Sequence, residues 1–141
     1  MISIRSGAKI HGAGAEILPR VLVIDDEPLV RWSLVAGLRH SGFDAVSAGT
    51  PDDARALAGE PPVPMVVLLD IGLWGVKAGE LLAAIRQNAP DCRVLLLAVE
   101  GQEVPALDEF EVIRKPFDLY AVVAKVRAAL SYSARGAKLA M

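Results

Sequence analysis

Val21-Leu22-Val23-Ile24-Asp25-Asp26-Glu27-Pro28 runs four apolar residues straight into three acids and a proline. A continuous β-branched and leucine run of this length is what a strand covered by helices on both faces requires. Pro28 suits the first position of a helix, because its missing N–H is one of the donors that a first turn leaves unpaired anyway. The stretch therefore reads as a central strand, a tight acidic turn and a helix start. Val66-Val67-Leu68-Leu69-Asp70 repeats the theme, again apolar throughout and again ending in aspartate.

Working outward, four or five short runs alternate with segments long enough for helices, the signature of an α/β domain with a parallel sheet. The strand candidates are Arg20 to Asp25, Phe43 to Ala48, Met65 to Asp70, Arg93 to Ala98 and Glu111 to Arg114. Gly42 closes the helix opened at Pro28. Thr50-Pro51-Asp52-Asp53 reads as a cap with proline in the first turn, a third helix spans about Gly79 to Asn88, and Asp118 caps a last one. In that last helix Leu119, Val122, Val123, Val126 and Leu130 recur at helical spacing and should face the sheet. Residues 1–19 read as a flexible N-terminal extension, 20–131 as the folded domain and 132–141 as a C-terminal tail.

The 141 residues carry a net charge of -2, with 53% hydrophobic and 23% charged residues, which fits one globular domain. Such a chain buries roughly two-thirds of its unfolded surface without staples. Cys92 is the single cysteine, so no intrachain disulfide is available; it reads as an inert packing residue in a reducing compartment. No apolar run approaches the roughly 20 residues of a membrane helix, and residues 1–19 build no signal-peptide core. The cytoplasm is the expected location. The slightly acidic balance argues against direct nucleic-acid binding.

Ligands of an open parallel sheet bind beyond the carboxyl ends of its strands, which brings Asp25, Asp26 and Asp70 together. Carboxylates 4 Å apart repel by about 4 kcal/mol at an effective dielectric of 20, and a hard divalent cation that takes oxygen ligands, magnesium above all, compensates. The competing reading is that Asp25 to Glu27 merely serve the positive end of the helix dipole at Pro28. Lys115-Pro116-Phe117 ends the last strand, where the lysine can pair with an anion held at Asp70 and the proline fixes the turn.

These three motifs, in this order, resemble the receiver domains of two-component response regulators over about residues 20 to 131. The resemblance implies a flavodoxin-like receiver fold, a doubly wound five-stranded parallel sheet. It further implies that Asp70 accepts a phosphoryl group from a histidine kinase or phosphotransferase and that Lys115 contacts that group. Asp26 and Asp70 would bind magnesium directly, Asp25 more indirectly, and the Gly72 carbonyl would add another oxygen. A carboxylate is a competent nucleophile toward phosphorus, and catalysis of such transfer is mainly positioning and charge stabilisation.

The chain also departs from the family pattern. Ala98 stands where receivers usually carry Thr or Ser, Val99 where they carry a smaller residue, and Val112 where they carry an aromatic. A hydrogen bond to a charged group is worth about 1.5 to 3 kcal/mol, comparable with a whole allosteric coupling, so the loss at Ala98 is substantial. Lys115 follows Ala98 by only 17 positions, with Pro105 between, so the fourth helix should be shortened or missing. Val99 and Glu100 should narrow the site and add negative charge, and Phe110 should pack. Trp74 lies beside the acceptor and Trp32 on the first helix; each is either a partner anchor or a packing residue.

The leading reading is a stand-alone receiver, phosphorylated at Asp70, whose output runs through contact with a downstream protein, with homodimerisation left open. Arg31-Trp32-Ser33-Leu34 resembles receivers of enhancer-binding transcription regulators, which keeps a fragment of a larger regulator in view. A second reading is a degenerate receiver acting as a phosphorylation-independent interaction module. A haloacid-dehalogenase-like phosphatase is disfavoured because Gly72 stands where that family needs a second aspartate, and no nucleotide-binding G-x-x-x-x-G-K-[ST] loop is present. The chain is thus not expected to be an enzyme beyond its own phosphotransfer.

Overall fold

The computed structural model describes residues 18–73, 78–103 and 111–140. In chain order these form β1 (Arg20–Ile24), α1 (Pro28–His40), β2 (Asp44–Ala48), α2 (Pro51–Ala58), β3 (Val66–Asp70), a 3-10 turn (Ile71–Leu73), α3 (Ala78–Asn88), β4 (Arg93–Val99), β5 (Glu111–Lys115) and α4 (Leu119–Ala140). The five strands make one sheet in the order β2-β1-β3-β4-β5, every pair parallel. The doubly wound parallel sheet expected from the sequence is the architecture observed.

Strand side chains alternate between the faces of the sheet, and the apolar runs supply both. Leu22, Ile24, Val67, Leu69, Val94 and Leu96 pack with Ala54, Leu81 and Ile85 of α2 and α3. Val21, Val23, Val66, Leu68, Leu95 and Leu97 pack on the other side with Leu34 and Leu38 of α1 and Val122, Val123 and Val126 of α4. Every residue of β3 is buried, as a strand between two helical layers must be. Burying one such side chain fully contributes about 1.5–3 kcal/mol, so these two layers dominate the driving force.

The expected helix ends are present. Gly42 leaves α1 with a φ of 96, the left-handed conformation that a residue without Cβ adopts freely. The Asp53 N–H donates to Thr50 Oγ1 at 3.2 Å, and the Tyr120 N–H to Asp118 Oδ1 at 2.8 Å. Of the α4 stripe, Val122, Val123 and Val126 are buried, whereas Leu119 is 37% exposed and lies against α1 at Gly37. The backbone of α4 continues to Ala140, through the segment read from the sequence as a tail. Its alanines, arginine and lysine are residues of high helix propensity, which accounts for the extension despite Gly136. Among the described residues no helix is long and apolar enough to cross a membrane.

The described part of the β4–β5 connection, residues 100–103, is turn and coil. Two side chains hold this turn. The Val99 N–H donates to Gln102 Oε1 at 3.0 Å, and Arg114 Nη1 donates to the carbonyls of Val99 at 3.1 Å and Gln102 at 2.9 Å. On β5 itself Ile113 is buried against α1 and α4, while Val112 is half-buried on the opposite face and Arg114 is exposed. Pro105 and Phe110 lie outside the described residues.

Replacing Thr50 by Ala removes the α2 cap and should cost about 1 kcal/mol. Thermal unfolding should show this as a Tm lower by about 2 to 6 °C, with Thr50→Ser close to wild type.

Candidate functional site

The sheet reverses its winding between β1 and β3, which lie side by side, so the crevice at their carboxyl ends is the place where a ligand fits such a sheet. Asp25 follows β1 and Asp70 ends β3. Asp25, Asp26 and Asp70 each offer a carboxylate oxygen within 4.8 Å of the others. The three acids singled out in the sequence are thus brought together.

Each acid has a different environment. Asp25 is fully buried, and its Oδ1 accepts the Glu27 N–H at 2.9 Å while its Oδ2 meets Lys115 Nζ at 2.9 Å. Asp26 is exposed. Asp70 is nearly buried, and its Oδ1 accepts the Gly72 N–H at 3.2 Å. A Cβ at position 72 would lie 3.3 Å from Asp70 Oδ2, so glycine there leaves room beside the carboxylate. Glu27 is the N-cap of α1 and makes no side-chain cap bond. Asp25 turns its Oδ1 to the turn and its Oδ2 to Lys115 instead of serving only the helix end.

Lys115, last residue of β5, extends over the ends of β4 and β3 to reach β1. Its Nζ lies 2.9 Å from Asp25, 3.4 Å from Glu27 and 3.5 Å from Asp70. The main partner is therefore Asp25, with Asp70 second. Burial alone would lower the Lys115 pKa, but the hydrogen bond and charge of Asp25, with Asp70 and Glu27, hold it above the ordinary lysine value. Burial raises the Asp70 pKa; the Gly72 N–H opposes this, Asp25 adds to it, Lys115 offsets it and Asp26 adds again. The carboxylates of Asp25, Asp26, Glu27 and Asp70 outnumber the two cations beside them, Lys115 and Arg31, and the clustered side-chain ligand atoms are all oxygen, the set a hard divalent cation prefers.

The positions at which the chain departs from the receiver pattern are equally defined. Ala98 is fully buried, opposite Arg114 in the register, and no hydroxyl is present there. Val112 packs half-buried near it. Val99 is 48% exposed at the strand end, and Glu100 is exposed. Trp32 is 71% exposed on α1, so it is no core residue. Trp74 lies outside the described residues. Cys92 is buried, and burial pushes its thiol pKa up, which makes it a packing residue. Two contributors had no sequence signal: the ion pair of Glu27 with Lys115, and Arg31, which donates to the Asp25 carbonyl at 2.7 Å.

A family model for the response regulator receiver domain matches residues 21–127. The chain belongs to the response regulator receiver family. It is 33% identical to the transcriptional regulatory protein KdpE of Mycobacterium tuberculosis, over 84% of this chain and 54% of that protein. It is 37% identical to the transcriptional regulatory protein FixJ of Azorhizobium caulinodans, over 84% of this chain and 58% of that protein. This receiver spans about half the length of the curated relatives it matches. Among solved structures, NtrX from Brucella abortus in complex with ATP superimposes with a TM-score of 0.75 at 25% identity, covering 88% of this chain and 29% of that one. A response regulator receiver protein from Sinorhizobium medicae shares the fold with a TM-score of 0.70 at 15% identity, covering 82% of this chain and 97% of that one. Receivers are phosphorelay modules of two-component systems that interact with histidine kinases and downstream effectors, and the family binds magnesium at an acidic pocket.

In this receiver the folded chain holds the Asp70 proton more tightly than the unfolded chain does. Stability should therefore fall as pH rises from 3.8 through the raised Asp70 value. Asp70→Asn should abolish that part of the slope and, in EDTA at neutral pH, raise Tm by about 2 to 6 °C. Asp26→Asn should give a smaller rise, its carboxylate being exposed. Calorimetric unfolding across pH checks both, and lower stability in both variants would contradict charge crowding.

Proposed function

We propose that this chain is a phospho-accepting receiver in which Asp70 takes a phosphoryl group from a histidine kinase or phosphotransferase. The observation that carries the reading is the convergence of Asp25, Asp26 and Asp70 within 4.8 Å, with Lys115 Nζ 3.5 Å from Asp70. In the transfer an Asp70 carboxylate oxygen forms the new bond to phosphorus while the bond from phosphorus to the donor's leaving atom breaks. No separate general base is needed, because the nucleophile is already ionised. With acetyl phosphate the leaving group is acetate.

Asp26 and Asp70, supported by Asp25 and the Gly72 carbonyl, would hold magnesium, which when bound supplies charge neutralisation on the phosphoryl oxygens. Gly72 keeps the space beside Asp70 Oδ2 open for the incoming group. Lys115 has its proton secured by Asp25 and is poised to pair with a phosphoryl oxygen, redistributing its contacts from Asp25 and Glu27. The burial of Asp70 lowers the effective dielectric around it, which strengthens these attractions.

Output differs from the usual receiver switch. A side-chain hydroxyl at 98 is not available to follow the phosphoryl group, and Val112 has no ring to rotate in response. Signalling then proceeds by contact with a downstream protein through surfaces whose charge changes at Asp70. The chain spans only about half of the transcriptional regulators it matches, so a role within a longer regulator is part of this reading. The buried Ala98 favours a second reading, a receiver that binds its partner irrespective of phosphorylation; there Asp70→Asn would leave partner binding intact.

Intact mass after incubation with acetyl phosphate tests the leading reading. One phosphoryl addition is expected, dependent on magnesium and absent in Asp70→Asn; no addition from either acetyl phosphate or a cognate kinase would sink it. Ala98→Thr should not simply restore a normal switch. Its added atoms enter a filled core, and stability should drop by about 1–3 kcal/mol in a denaturant titration.

A further inference from the structure

We propose that Arg31 and Gly49 act as one positioning device for the acidic turn, fixing the Asp25–Asp26 peptide so that the exposed Asp26 carboxylate is aimed at the magnesium site. This inference rests on the reading of the pocket as a magnesium site. Arg31 lies in the first turn of α1, and its Nη1 donates to the Asp25 carbonyl at 2.7 Å, a short charge-assisted bond. The other polar groups of Asp25 are also engaged: its N–H donates to the Ala48 carbonyl at 3.2 Å, Oδ1 accepts from Glu27 and Oδ2 pairs with Lys115. Asp25 is therefore held from all sides. Asp26, the next residue, projects from a peptide whose plane the Arg31 bond sets.

Gly49 supplies the space. A Cβ built at position 49 would lie 2.7 Å from Arg31 Nη1 and 3.0 Å from its Cζ, distances at which one group must move. Gly49 has none of the positive φ that Gly42 and Gly101 adopt, so its backbone would accept a side chain. The space that a side chain at 49 would take is filled by the guanidinium, the mobile end of Arg31, so it is Arg31 that would move. An alanine at 49 would push Arg31 off the Asp25 carbonyl, and Arg31→Ala would remove the same bond from the other side. Both substitutions then produce one defect, and combining them should add nothing.

Magnesium titrations by calorimetry on the full chain, with thermal unfolding in EDTA as a folding control, test the pair. Outer groups that orient metal ligands typically affect affinity by about 10- to 100-fold. Arg31→Ala and Gly49→Ala should each weaken magnesium binding about 10-fold, and the double variant should match the singles instead of reaching the roughly 100-fold loss of independent sites. If Gly49→Ala weakened binding equally with and without Arg31, Gly49 would act by another route and the pairing would fall. Magnesium affinity unchanged in Arg31→Ala, with wild type binding normally, would overturn this inference alone. A wild-type chain that takes up no magnesium would overturn the reading of the site, and this inference with it.

Discussion

The buried carboxylate of Asp25 is the constraint around which this site is built. A charge removed from water costs several kcal/mol unless partners meet it, and Asp25 is met by an ammonium, a backbone N–H and a pinned peptide on either side. Lys115 supplies the ammonium from the edge strand, 90 positions away in sequence, by spanning the ends of β4 and β3. The same contact anchors the end of β5 to the centre of the sheet. Stability and pocket electrostatics are thus one interaction: the Asp25 contact that ties β5 to β1 also keeps Lys115 protonated beside Asp70.

The pocket remains asymmetric. Asp70 has one N–H and a distant share of Lys115, and its burial is not fully compensated, so its proton is held more tightly than that of an ordinary aspartate. A group in that position gains from any incoming positive charge. Among the described residues, the exposed Asp26 and the absence of a side chain at Gly72 leave space beside the carboxylate. The apolar layers on both faces of the sheet supply the rigidity that fixes these distances, since β1 and β3 are the most thoroughly buried strands.

The far side of the site shows how a shortened crossover is accommodated. With residues 100–103 in turn and coil, Arg114 and Gln102 satisfy the backbone N–H and carbonyl of Val99. Ala98 lies flat in the core beneath this turn. Position 98 thus contributes apolar packing and no hydroxyl at the end of β4.

The sequence alone determined the parallel α/β architecture, because continuous apolar runs with capped amphipathic segments between them have few other ways to bury their surfaces. It also singled out Asp25, Asp26 and Asp70 as acids at strand ends, where ligands of such a sheet gather, and Lys115 as a cation ending the last strand; the fold brings these four side chains together. The short fourth crossover was readable from chain length. Only the tertiary structure decided that Lys115 pairs first with Asp25, that Glu27 joins it, that Trp32 faces outward and that α4 runs to Ala140. The same holds for Arg31 and Gly49, whose relation depends on a guanidinium filling the space of a missing Cβ. Periodicity reports which face a residue occupies; which charged tip meets which depends on distances between chain segments that no local pattern encodes.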